Sequence, residues 1–103
     1  MAEYDLYVKD FVLRFIHDGS KDLEVRLASR AFQKIKAGDI IIFNGTCRRK
    51  IKAVRHYLSF AELVEHEDPS RIMPGFSQHQ LLEGLNGIYG RAAKHNGVLV
   101  FEL

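Results

Sequence analysis

Three charged side chains near the front of the chain, Lys21, Glu24 and Arg26, have the types and spacing to hold a polar ligand. From Asp22 to Leu27 the sequence alternates strictly, Leu23, Val25 and Leu27 against Asp22, Glu24 and Arg26, which is the period of a strand with one face buried. Side chains two apart on a strand point the same way, so Glu24 and Arg26 share a face, and Lys21, just ahead of the strand, can swing over it. Such a trio offers cationic donors to a phosphate, carboxylate or carbonyl, and one carboxylate to a base edge or a proton. The same pattern also describes a solvated strand face on which Glu24 and Arg26 pair with each other.

A second group is Arg48, Arg49, Lys50, Lys52 and Arg55, five cations in eight residues. On a single returning strand from about Arg48 to Leu58, period two places Arg48, Lys50 and Lys52 on one face and Arg49 and Arg55 on the other. The first face reads as a track for a nucleic-acid backbone, or as an edge strand kept from aggregating by its charge. Tyr57, near the end of this strand, and Phe60, just after it, lie close to this charge, and Tyr89 lies further on. Unstacked bases use aromatic faces as platforms, and the phenols of Tyr57 and Tyr89 suit the rim of a pocket, although a core tyrosine with a satisfied hydroxyl has the same pattern.

Other chemistries lack their residues. The histidines, His17, His56, His66, His79 and His95, show none of the spacings expected of zinc ligands, so no metal is expected. Cys47 stands alone, which excludes an internal disulfide and a cysteine-rich metal site, and with no histidine beside it in sequence it reads as a bystander thiol in a reducing compartment. There is no P-loop, and the glycines of GLNGIYG follow no dinucleotide fingerprint, so no cofactor is expected.

The elements that must position these side chains follow from composition and periodicity. With 103 residues, 47% hydrophobic and 27% charged, the chain is expected to form one domain, residues 1–103, that buries roughly two thirds of its unfolded surface. Fifteen Lys and Arg against thirteen Asp and Glu leave a formal charge of +2, so a nucleic-acid partner would have to be recognised by local clusters. No apolar run approaches the roughly eighteen residues of a membrane span, and MAEYDLYVKD lacks the basic and apolar regions of a signal peptide, so a cytoplasmic location without membrane contact is expected.

Large residues at helical spacing predict a first helix over Asp5 to His17, stopped by Gly19. After the strand at Asp22 to Leu27, a turn at Ala37, Gly38 and Asp39 feeds the doubly buried strand Ile40 to Phe43, and Asn44-Gly45 turns the chain into the basic strand. Ser59 and Glu62 form a capping box for a short helix to about His66, and Glu67 to Phe76 reads as an irregular loop. Ser77 caps a helix to about Gly90 that contains Gly84 and Gly87, each costing on the order of 1 kcal/mol relative to alanine. Either the backbone approaches something closely there, or the helix is broken. Asn96-Gly97 leads into a last, inner strand, Val98 to Leu103. The order is that of an α+β fold, a small β-barrel or strongly curved sheet flanked by helices.

Gly19, Lys21, Glu24 and Arg26 also spell G-x-K-x-x-E-x-R, and with the KAGD turn, the strand leading to Tyr57, Ser59 and Phe60, and the strand after Gly97, the chain resembles the small prokaryotic members of the ASCH domain family, within the PUA-like superfamily. The resemblance implies a PUA-like barrel with a cleft whose floor is formed by Lys21, Glu24 and Arg26, and RNA or a modified nucleoside as partner. It also bears on catalysis. Bacterial N4-acetylcytidine amidohydrolases are similar in length and have a matching lysine, but Glu24 stands where they carry a threonine nucleophile, so the same acyl-enzyme cannot form. The remaining enzymatic alternative is a hydrolase acting on nucleosides or RNA, with Glu24 as general base and Lys21 facing an oxyanion. A protein-interaction domain is a third alternative.

Overall fold

The computed structural model describes all residues from Met1 to Leu103. Six strands form two three-stranded sheets. In the first, β1 (Glu3–Leu6) pairs parallel with β3 (Ile40–Phe43), which pairs antiparallel with β4 (Cys47–Lys50). In the second, β6 (Val98–Glu102) runs antiparallel between β2 (Leu23–Leu27) and β5 (Ala53–Tyr57). The helices are α1 (Asp10–Asp18), α2 (Phe60–His66), α3 (Pro69–Ile72), α4 (Gln78–Tyr89) and α5 (Ala93–Asn96), with a 3-10 turn at Phe32–Lys34.

The apolar run of β6 follows from its central place, because its alternate side chains enter two cores. Leu99 and Phe101 pack with Ile16, Ile41, Phe43 and Ile51 beneath the first sheet, whereas Val98 and Val100 pack with Leu23, Val25, Leu63, Leu81 and Leu85 beneath α2 and α4. The fold is thus α+β. Hydrogen-bonded pairing ends at three strands in each sheet, so the expected barrel is not closed.

The corner between the sheets corrects the single basic strand. The chain leaves β4 after Lys50, buries Ile51 and joins the other sheet at Ala53, with the Ile51 amide bonded to the Asp39 carbonyl and the Lys52 amide to that of Glu102. Arg48 and Lys50 therefore lie on β4, Lys52 at the corner and Arg55 on β5. Period two could not reveal this, because Ile51 suits either a strand interior or a buried corner.

The predicted helix over Asp5 to His17 is also corrected. Glu3–Leu6 is claimed by parallel pairing with β3, and Asn44 then clamps the chain at Val8, accepting its N–H at 2.9 Å and donating to its carbonyl at 2.9 Å. The helix begins only at Asp10, and Gly19, with φ of 86°, ends it as expected. The segment assigned to a loop holds α3, started by Pro69 and capped by Asp68. Around Ser59 only half of the capping box forms. Its hydroxyl accepts from the Glu62 amide at 3.1 Å, while the Glu62 carboxylate accepts from Leu58 rather than from Ser59. Ser77 and Gln80 make the complete reciprocal box, and α4 runs unbroken through Gly84 and Gly87 to end at Gly90.

Candidate functional site

A cavity of about 340 Å³ opens where β2, the start of α1, the loop after α3 and α4 meet. Strand β2 has β6 as its only partner, so its other edge is free, and both Glu24 and Arg26 from one face and Val25 from the other line the cavity. The cavity therefore runs along this edge. Leu81, Leu85 and Tyr89 of α4 form one wall, and Ile72, Met73 and Phe76 another.

Lys21, Glu24 and Arg26 meet here as a chain of ion pairs. The Lys21 ammonium lies 3.1 Å from Glu24 Oε1 and also donates to the carbonyls of Leu23 at 2.6 Å and Ile72 at 2.7 Å. Its three protons are thereby engaged within the protein. Glu24 Oε2 accepts from Arg26 Nε at 2.9 Å and lies 2.7 Å from Nη2, which donates to the Tyr7 carbonyl at 3.0 Å. Lys21 and Glu24 are 4% and 5% exposed, so these charges are held by one another and by carbonyl dipoles, with little water. Arg26 Nη1 makes no hydrogen bond within the chain, and Glu24 retains lone pairs beyond those its two cations use. The trio thus presents one guanidinium edge and one carboxylate to the cavity.

Tyr89 is half-buried beside this trio, stacked on Phe60 at 5.5 Å between ring centres, and burial pushes its phenol pKa up, so the ring stays neutral. Tyr57 stands outside the cavity. Its hydroxyl donates to Glu67 and its ring stacks on His66 at 5.8 Å. The cations expected on a backbone track are apart from the cavity as well. Arg48 pairs with Glu3 at 2.8 Å, and Arg49 donates to the carbonyls of Ile16 and His17 at the end of α1, where a cation complements the helix dipole. Arg55 is bound by Glu67 at 2.6 Å and Glu102 at 2.9 Å, while Lys50 and Lys52 stay exposed without an ion pair. Cys47 is buried in the first core. No three histidine, cysteine, aspartate or glutamate side chains are grouped so as to hold a metal ion, and no helix is long and apolar enough to cross a membrane.

Several lining residues escape sequence reading. Tyr7, Phe11, Phe76 and Ile88 all line the cavity while remaining 76%, 49%, 39% and 74% exposed, so its rim is an apolar collar. Tyr7, Phe11 and Ile88 fall among the apolar residues at helical spacing, but periodicity shows which face is apolar and not whether anything covers it. Lys9 joins this rim. Gly84 also lines the cavity, and its signal was visible: a glycine inside a helix that the helix itself does not require.

The sequence matches the ASCH domain family over residues 6–102, and the chain belongs to that family. No curated protein matches it. Among solved structures, it is similar to the crystal structure of hypothetical protein PH0355, at 31% identity and a TM-score of 0.90 over 97% of this chain and 95% of that one. It is also similar to the solution structure of protein PF0455 from Pyrococcus furiosus, at 30% identity and a TM-score of 0.79 over 97% and 94%.

Proposed function

We propose that this ASCH domain binds RNA by taking one unpaired base, or a modified nucleoside, into the cavity along β2. The observation that carries the reading is the Glu24–Arg26 pair set in the wall of a mostly apolar cavity, with Arg26 Nη1 and the spare lone pairs of Glu24 left for a guest. A small number of polar groups in an apolar cleft is how small-ligand sites fix orientation, and about 340 Å³ lies at the lower end of such cavities. Glu24 would accept from an exocyclic amine, Arg26 would donate to a ring carbonyl or nitrogen, and Tyr89 would offer its ring. Family membership supports nucleic acid as the partner class. Phosphates would remain outside, near Lys9 at the rim, with the exposed cations Arg48, Lys50 and Lys52 available to longer strands.

The hydrolase alternative has weaker support, because Lys21 already spends its protons on Leu23, Ile72 and Glu24 rather than on a developing oxyanion. Short single-stranded RNA, titrated at several salt concentrations, tests the main reading. The logarithm of affinity should fall against log salt with a slope of about −0.7 per phosphate neutralised, and Arg26→Met should weaken binding at every concentration. Flat salt dependence together with an unaffected Arg26→Met variant would overturn it.

A further inference from the structure

The backbone of Val25 makes no hydrogen bond within the chain, although the residue is buried and lines the cavity. The register of β2 explains why. The Leu103 amide bonds to the Asp22 carbonyl and the Ala28 amide to that of Gly97, which sets the even-numbered residues of β2 to exchange bonds with β6. Leu23, Val25 and Leu27 therefore turn their N–H and C=O groups toward the free edge. At two of these positions the acceptor is already taken: the Leu23 carbonyl accepts from Lys21 Nζ at 2.6 Å and that of Leu27 from the Ser29 amide at 2.8 Å. Val25 alone keeps both its donor and its acceptor open, between Glu24 and Arg26.

Buried backbone groups are almost always paired, and one left open toward a cavity needs a partner. We infer that the Val25 amide pair is a recognition element, which bonds a planar group carrying an acceptor beside a donor, as on the lactam or amidine edge of a nucleobase. The inference rests on the proposed use of the cavity and adds to it the part of the base that is read. An added β-strand is the other ligand of a free edge, but it needs both donor and acceptor open at successive alternate residues, and here the carbonyls on either side are already taken. A single complete donor–acceptor pair, flanked by positions whose acceptors are taken, suits a small flat group.

The test is amide-resolved NMR of the whole chain, with hydrogen exchange followed residue by residue, alone and with each of the four ordinary ribonucleosides and N4-methylcytidine at millimolar concentration. Without ligand, the Val25 amide should exchange well ahead of the Glu24 and Arg26 amides, which are bonded to β6. Slow exchange at Val25, comparable to its neighbours, would overturn the inference directly. With a nucleoside that shifts Gly84 and Tyr89, the Val25 amide should move downfield and its exchange should slow at least several-fold. If those cavity residues shift while Val25 does not, the base is read elsewhere, and the inference fails though the cavity reading stands. If no probe shifts any cavity residue, both fail. Protection of Leu23 and Leu27 together with Val25 on adding an extended peptide would replace the base by a strand.

Discussion

The ammonium of Lys21 lies 2.7 Å from the carbonyl oxygen of Ile72, a residue 51 positions further along the chain. This bond joins the entry of β2 to the end of α3, and so holds the Met73 to Phe76 wall of the cavity against the strand whose Glu24 and Arg26 form its polar side. It is reinforced by Arg71, which grips both carboxylate oxygens of Asp22 at 2.8 Å while its carbonyl accepts from the Asp22 amide. The family-motif lysine thereby acts as a latch between two walls of the site.

Replacing that lysine should therefore cost stability. Lys21→Met removes three bonds made by a buried charge and leaves two carbonyls without their partner, although Glu24 keeps Arg26. We expect a loss of about 2–3 kcal/mol, read from the midpoint of urea unfolding. An unchanged midpoint would mean that the ammonium is not held in the interior.

Gly84 and Gly87 form a matched pair on α4. Neither has a positive φ; a Cβ at Gly84 would make only ordinary contact with Phe76 at 3.8 Å, and one at Gly87 would meet nothing. Alanine should thus stabilise the helix at either position by up to about 1 kcal/mol, or roughly 4–8 °C in Tm. Only Gly84 lines the cavity, so Gly84→Leu should abolish ligand binding while Gly87→Ala leaves it intact. Equal effects at both positions would detach Gly84 from the site.

Acid should weaken the fold through Asp22 and Glu67. Hydrogen bonds from Arg71 hold the Asp22 pKa below the usual carboxylate range. Burial pushes Glu67 upward, but Arg55 and Tyr57 together outweigh it, and its pKa is also lowered. A carboxylate with a depressed folded pKa contributes stability that is present above its unfolded value near 4 and is lost as pH falls through the folded value. Tm should hold from neutral pH to about pH 5 and drop below about pH 4, with the Asp22 share reduced at high salt because that pair is partly exposed. In Arg71→Gln the drop should be smaller. A wild-type Tm that stays level down to pH 2 would contradict these pairs.

Gly97 admits no side chain. Its φ of +82° and ψ of −160° lie in a region open essentially to glycine, and a Cβ would stand 2.4 Å from the Tyr57 carbonyl and 2.7 Å from His56 Nε2. Gly97→Ala should cost at least about 2 kcal/mol, visible in thermal melts. A shift of less than a degree would show that β5 and β6 can separate at this end.

Legibility from sequence tracked how local the determining physics was. The alternation of β2, the stop at Gly19, the capping of α4 by Ser77 and the buried run of β6 are each set by near neighbours, and all were readable. Glu3–Leu6 and the corner at Ile51 were not, because each is decided by a partner strand distant in sequence. The same holds for the site. Lys21, Glu24 and Arg26 could be picked out by charge and spacing, yet the engagement of Lys21 with Ile72 could not, nor could the open amide of Val25, which depends on register and on the absence of a further strand. Tyr57 and Arg55 show the converse: their pattern suited a ligand, but Glu67, from the start of α3's approach, occupies both.

The most direct measurement is a crystal structure of the protein grown with a short single-stranded RNA. One base is expected in the cavity, within hydrogen-bonding distance of Glu24 and Arg26 Nη1, with its phosphates outside. RNA bound along Arg48, Lys50 and Lys52 with the cavity holding only solvent would contradict it.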